Sequence, residues 1–131
     1  MRTQTADRIA SIPLGLEGLA IVALVVWQIR ALTMGDTASM ESAIALLVLT
    51  ATGAFAVLAF AVATWRHQSW GRSGGIVTQL LILAVALGAV TGAYADATTG
   101  LVLAVPAVVT LVVLVIAVRS AGRVTREQQS G

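Results

Sequence analysis

Four long apolar runs constrain this chain more than any other feature; they lie between Arg8 and Arg30, Glu41 and Arg66, Gly75 and Asp96, and Gly100 and Arg119. Each holds about 19 to 23 residues, which at about 1.5 Å per residue matches a hydrocarbon core of roughly 30 Å. The runs are apolar all round rather than along one stripe, the pattern of helices whose solvent is hydrocarbon. Hydrophobic residues make up 58% of the 131 positions and charged residues 11%, so a soluble fold would leave most of that surface in water. The chain therefore reads as an all-α polytopic membrane protein, with four transmembrane helices in an up-down bundle. The transmembrane domain covers 9–118, with spans at 9–29, 42–64, 76–95 and 100–118. A cytoplasmic amino terminus, 1–8, precedes it, and a polar tail, 119–131, expected to fray, follows.

The first run is longer than the roughly 7 to 15 residues of a signal-peptide core. It carries Glu17 and lacks a small-x-small cleavage site before Arg30, so it is expected to stay in the mature protein.

Orientation follows from arginine placement. All eight basic residues are Arg. Arg2 and Arg8 precede the first span, Arg66 and Arg72 lie between the second and third, and Arg119, Arg123 and Arg126 follow the fourth. The other side holds only Arg30, with Asp36, Glu41 and Asp96. Short arginine-rich segments stay in the cytoplasm, which puts both termini inside and the protein in the cell membrane. Trp27 and Tyr94 near the outer ends, and Trp65 and Trp70 about the inner loop, fit interfacial aromatic belts.

Several function classes are excluded or disfavoured. Without cysteine there are no disulfides, thiolate chemistry or cysteine metal sites. His67 is the only histidine, so one chain cannot build a multi-histidine metal centre. No cofactor or metal is expected. The arginines read as lipid-facing charge, and no basic stripe with interleaved aromatics suggests nucleic acid.

Glu17 is the one acid well inside a span, about eight residues past Arg8 and so on the order of 12 Å from the inner interface. An acid there costs roughly 2.5 to 3.5 kcal/mol on insertion scales, so a partner should compensate it. Gln79 in the third span and Thr110 in the fourth stand at similar depth, and the three form a candidate intramembrane polar site. Pro13, Glu17, Ile21, Leu24 and Gln28 share one face of the first helix. Two readings of Glu17 stand side by side: a proton-titratable or cation-binding carboxylate, or a structural interhelical hydrogen bond. Gln79 reads as an interhelical or headgroup hydrogen-bonder ahead of a substrate contact, and His67 as a solvated loop residue ahead of a ligand or switch.

Ala84, Gly88 and Gly92 form a small-xxx-small ladder about 180° from Gln79, a spacing that lets two helices approach backbone to backbone. It is read as helix packing, with a partner helix in the same chain ahead of one in another copy. Ala59 and Ala63 make a weaker pair, and Pro106 is expected to bend the fourth helix.

The inner segment from Trp65 to Gly75 carries two Trp and two Arg, and it runs into IVTQLLIL with Gln79. With LEGLAIVAL around Glu17 and Gly18, this resembles a group of uncharacterised small four-span integral membrane proteins of high-GC Gram-positive bacteria. The resemblance covers most of the chain and implies topology without an activity. Ala84 stands where several members of that group carry Pro. Small multidrug resistance transporters are similarly short, with an acid in the first span, but their aromatic and glycine motifs are missing here.

The sequence thus points to a multi-pass protein of the lipid bilayer, a non-enzymatic packing or accessory subunit of a membrane assembly whose partners are other membrane proteins or itself. The alternative is a small proton-coupled transporter or channel using Glu17. An enzyme is not expected, since no span holds a Ser/His pair, paired acids or a metal set.

Overall fold

The computed structural model describes residues 2–130, with side chains from Gln4 onward. Four helices follow in order: α1 (Arg2–Thr33), α2 (Met40–Trp65), α3 (Ser69–Thr91) and α4 (Ala97–Ser130). All four are long and apolar enough to cross a membrane, and the chain is a multi-pass membrane protein with an all-α four-helix bundle.

Sequence sets each turn. After α1, Gly35 takes a left-handed φ of 69°. The Asp36 amide then bonds the Ala31 carbonyl at 3.0 Å and the Gly35 amide bonds that of Leu32 at 3.2 Å, a Schellman stop that favours Gly at the left-handed position. The same pattern ends α2, where Gln68 bonds back to Ala63 at 2.9 Å and His67 to Thr64 at 3.0 Å. There the left-handed residue is His67, at φ 62°. Ser39 caps α2, accepting from the Ser42 amide. Asp96 caps α4, accepting from the amides of Thr98 at 3.1 Å and Thr99 at 3.2 Å.

The helices differ from the expected spans at their ends. α3 begins at Ser69, which reduces the connection after α2 to residues 66–68. It ends at Thr91, since Gly92 turns extended, so 92–96 is loop where the span was expected to reach 95. The tail does not fray: α4 runs on to Ser130, through Arg, Glu and Gln, which are good helix formers. Met1 and Gly131 lie outside the described residues.

Hairpin α1–α2 packs beside hairpin α3–α4, with α1 also against α4 and α2 against α3. Glu17 and Gln79 are therefore on helices diagonal to one another. Among the described residues seven of the ten buried apolar ones are Ala, so the helices hold by close approach rather than by large interlocking side chains. Leu14, Val57 and Ala61 form one cluster, and Ala10, Leu114 and Ala117 another. Most burial lies in the half of the bundle that holds the chain termini, with Asp7 to Gly18 on α1 facing Ala54 to Thr64 on α2 and Ala107 to Ala117 on α4. Gly71 is required by this closeness: a Cβ there would meet Ala63 Cβ and the Thr64 amide nitrogen, both at 2.6 Å. The large residues Leu46, Phe55, Leu81, Val85 and Val102 instead face outward, where lipid rather than water is their solvent.

Candidate functional site: two polar clusters in an apolar bundle

The deeper cluster joins three helices at Glu17. From α3, Gln79 Nε2 donates to Glu17 Oε2 at 2.6 Å; from α4, Thr110 Oγ1 donates to Glu17 Oε1 at 3.0 Å. Gln79 is fully buried and Thr110 nearly so. Thr110 has a single hydroxyl hydrogen and lies 2.9 Å from the Pro106 carbonyl oxygen as well, so Glu17 shares that donor. Gln79 Oε1 is buried and unpartnered. A groove of about 420 Å³ between α1 and α4 runs past Glu17 and Thr110, lined by Pro13, Leu16, Val105 and Pro106. The structure thus brings Glu17, Gln79 and Thr110 together.

Why these three meet is legible in helix geometry. Gln79 lies four and eight residues after Gly75 and Gly71, all buried on one face of α3. Small residues on that face let α3 come close enough for an amide to cross the bundle centre. Pro106 sits one turn before Thr110 on α4, and Pro13 one turn before Glu17 on α1.

The second cluster, at the end of the bundle that holds the termini, was not expected. Asp7 of α1 is completely buried. Its Oδ2 accepts from His67 Nδ1 at 2.9 Å and from Arg72 Nη1 at 3.0 Å. Arg72 Nη1 also donates to the His67 carbonyl at 3.3 Å. Because the carboxylate can only accept, the proton on the His67 ring is assigned to Nδ1. His67 is therefore half-buried and paired, which corrects its reading as a solvated loop residue. A signal for Asp7 existed, because Asp7, Ala10, Leu14 and Gly18 recur at helical spacing and all four are buried. Nearby, the Arg8 guanidinium lies 5.1 Å from the Trp65 ring centroid, a cation–π contact.

The remaining expected residues separate. Gln28, one of the face shared with Glu17, turns to α2 instead and donates to Thr50 Oγ1 at 3.1 Å. Ala84 and Gly88 are exposed, and a Cβ at Gly88 would meet nothing within 4 Å. Gly92 lies at the end of α3 and is exposed too. The ladder therefore meets no helix of its own chain, which corrects the expected order of its partners. The reason is Gln79: with that amide at the bundle centre, the opposite face of α3 points out. Helix contacts within the chain use Gly71, Gly75 and Gly100 instead.

Chemically, a carboxylate with two donors and no cation beside it can tie helices or hold a proton or small cation. His67 belongs to the Asp7 cluster, so Glu17, Gln79 and His67 do not surround one polar cavity. Among the described residues no three of His, Asp and Glu come close enough to hold a metal ion. Comparison with known proteins adds no further assignment: no protein-family model matches the chain, and no curated protein or solved structure matches it either.

Proposed function

We propose that this protein is a non-enzymatic packing or accessory subunit of a membrane assembly, with both termini in the cytoplasm, which joins other membrane proteins or copies of itself through the outward face of α3. The observation that carries this reading is the exposure of Ala84 and Gly88 between outward-facing Leu80, Leu81, Val85 and Leu87. Membrane helices gain little from apolar surface alone, and a shallow small-residue face permits the close backbone approach by which they associate. The bundle uses the same device internally. Supporting the absence of catalysis, Glu17 and His67 are committed to separate hydrogen-bonded clusters. Orientation rests on the seven of eight arginines at one end.

Replacing Gly88 by Ile in native membranes tests the association. The expected result is a loss of the larger species on native gels; a wild-type chain that already migrates alone sinks the proposal. Reporter fusions at Thr37, Ser69 and Gly131 test orientation, and an external Ser69 reverses it.

A second reading, a small proton-coupled transporter or channel, is favoured by one observation: Glu17 lines a groove open between α1 and α4, and the amide that binds it carries a buried Oε1 without a partner. Flux in proteoliposomes that vanishes with Glu17→Gln supports it. Unchanged flux makes Glu17 a structural tie.

A further inference from the structure

The extended α4 places Arg119, Arg123 and Arg126 on an ordered helix rather than on a loose tail. At about 100° per residue, spacings of four and seven put all three within an arc of roughly 60°. Their axial separation is about 6 Å and then about 4.5 Å. Thr110, Leu114 and Ala117 are the buried face of the same helix, and they point the opposite way. All three arginines are exposed, and among the described residues the only carboxylate in an ion pair is that of Asp7. Even Glu127, one turn from Arg123, makes none.

Like charges at this spacing repel along a helix, so the stripe calls for an external anion. Depth points to which one. The continuous apolar run of α4 ends at Val118, which sets Arg119 at the hydrocarbon boundary and Arg126 about 10 Å beyond it. The headgroup layer on one side is roughly 5 to 8 Å thick, and because helical side chains lean toward the amino terminus and a long arginine snorkels, Arg126 reaches back to it from just outside. Trp65 and Trp70 are exposed at the same end, where rings of this kind anchor to headgroups. The opposite end offers only Arg30 among Asp36, Glu41 and Asp96.

We propose that Arg119, Arg123 and Arg126 on α4 form a binding face for the headgroups of anionic phospholipids. Each guanidinium can offer two N–H groups to phosphate oxygens. Phosphatidylglycerol carries a net charge that the ammonium of phosphatidylcholine cancels, so the face should prefer the former. An arginine at an anionic surface contributes about fivefold in affinity, which for three reaches on the order of a hundredfold.

The test is a lipid titration of the full chain in neutral mixed micelles, read by native mass spectrometry with phosphatidylglycerol and with phosphatidylcholine. Preferential retention of phosphatidylglycerol is expected, weakening as salt rises. It should fall about fivefold in Arg123→Gln and on the order of a hundredfold in the triple Gln variant, while Arg30→Gln leaves it unchanged. Far-UV circular dichroism checks that the variants keep their helices. Equal retention of both lipids, or a phosphatidylglycerol preference that the triple variant keeps, overturns the proposal. So does displacement of the lipid by millimolar inorganic phosphate, which marks a soluble-anion site. Arginine-dependent capture of an acidic protein without any lipid preference overturns it in favour of a protein partner.

Discussion

Gln79 reaches across the centre of the bundle from α3 and donates to the Glu17 carboxylate on α1 at 2.6 Å, linking two helices that are diagonal neighbours. With Thr110 donating from α4, one costly acid binds three helices together. Interhelical hydrogen bonds in membranes average about 0.6 kcal/mol and reach about 1.7 kcal/mol. Gln79→Leu should therefore destabilise the bundle by about 0.6 to 1.7 kcal/mol. A double-mutant cycle with Glu17→Leu, which removes the acceptor, in a reversible detergent unfolding assay should give a coupling of comparable size. Strictly additive effects would mean the two side chains do not hold the bundle jointly.

His67 combines a left-handed backbone with a side chain that bonds Asp7. A non-glycine residue there costs roughly 1 to 2 kcal/mol, and a hydrogen bond to a charged group returns about 1.5 to 3 kcal/mol. His67→Ala should lose the bond and keep the strain, whereas His67→Gly loses the bond and relieves it. The Gly variant should therefore be more stable than the Ala variant by about 1 kcal/mol. Equal unfolding midpoints would argue against stored strain at this turn.

Two glycines on α3 should respond oppositely to the same methyl group. At Gly71 a Cβ would strike backbone and Cβ atoms of Ala63 and Thr64, so Gly71→Ala should cost at least about 1 to 3 kcal/mol. Gly88→Ala meets nothing within 4 Å and should gain about 0.5 to 1 kcal/mol in the isolated chain from helix propensity. A loss of isolated-chain stability at Gly88 would place that face against the bundle after all.

At the other end, Asp96 caps α4, and its hydrogen bonds from the Thr99 hydroxyl and the Thr98 and Thr99 amides hold its carboxyl below the usual carboxylate range. A depressed value means the cap stabilises above the ordinary carboxyl range and is lost as pH falls through the lowered one. Hydrogen exchange at the Thr98 and Thr99 amides should quicken on acidification beyond the intrinsic pH trend. Asp96→Ala should show the faster exchange already at neutral pH, and identical protection in both proteins would remove Asp96 from the cap.

The spans and the Glu17 partners were legible because each depends on local, additive quantities: apolar length for the spans, and depth along the membrane for Glu17, Gln79 and Thr110. Asp7 was hidden by its neighbours. Next to Arg8 and before the first apolar run, it looked like part of a solvated segment, although α1 extends back past it and draws it against Arg72. The glycine ladder gave its spacing but not its direction. Direction is a tertiary property, and it follows once Gln79 faces the centre: Gly71 and Gly75 must then lie inside and Gly88, half a turn round, outside. The tail's polarity resembles that of a frayed end, while its Arg, Glu and Gln residues favour the helix that the structure shows.

If the outward face of α3 meets another membrane helix, a photo-crosslinking residue at Gly88 should capture that helix. In native membranes a discrete protein adduct is expected from position 88 and not from the same probe at Val109, which is also exposed but lies on α4. Only uncrosslinked chain or lipid adducts at both positions would contradict it.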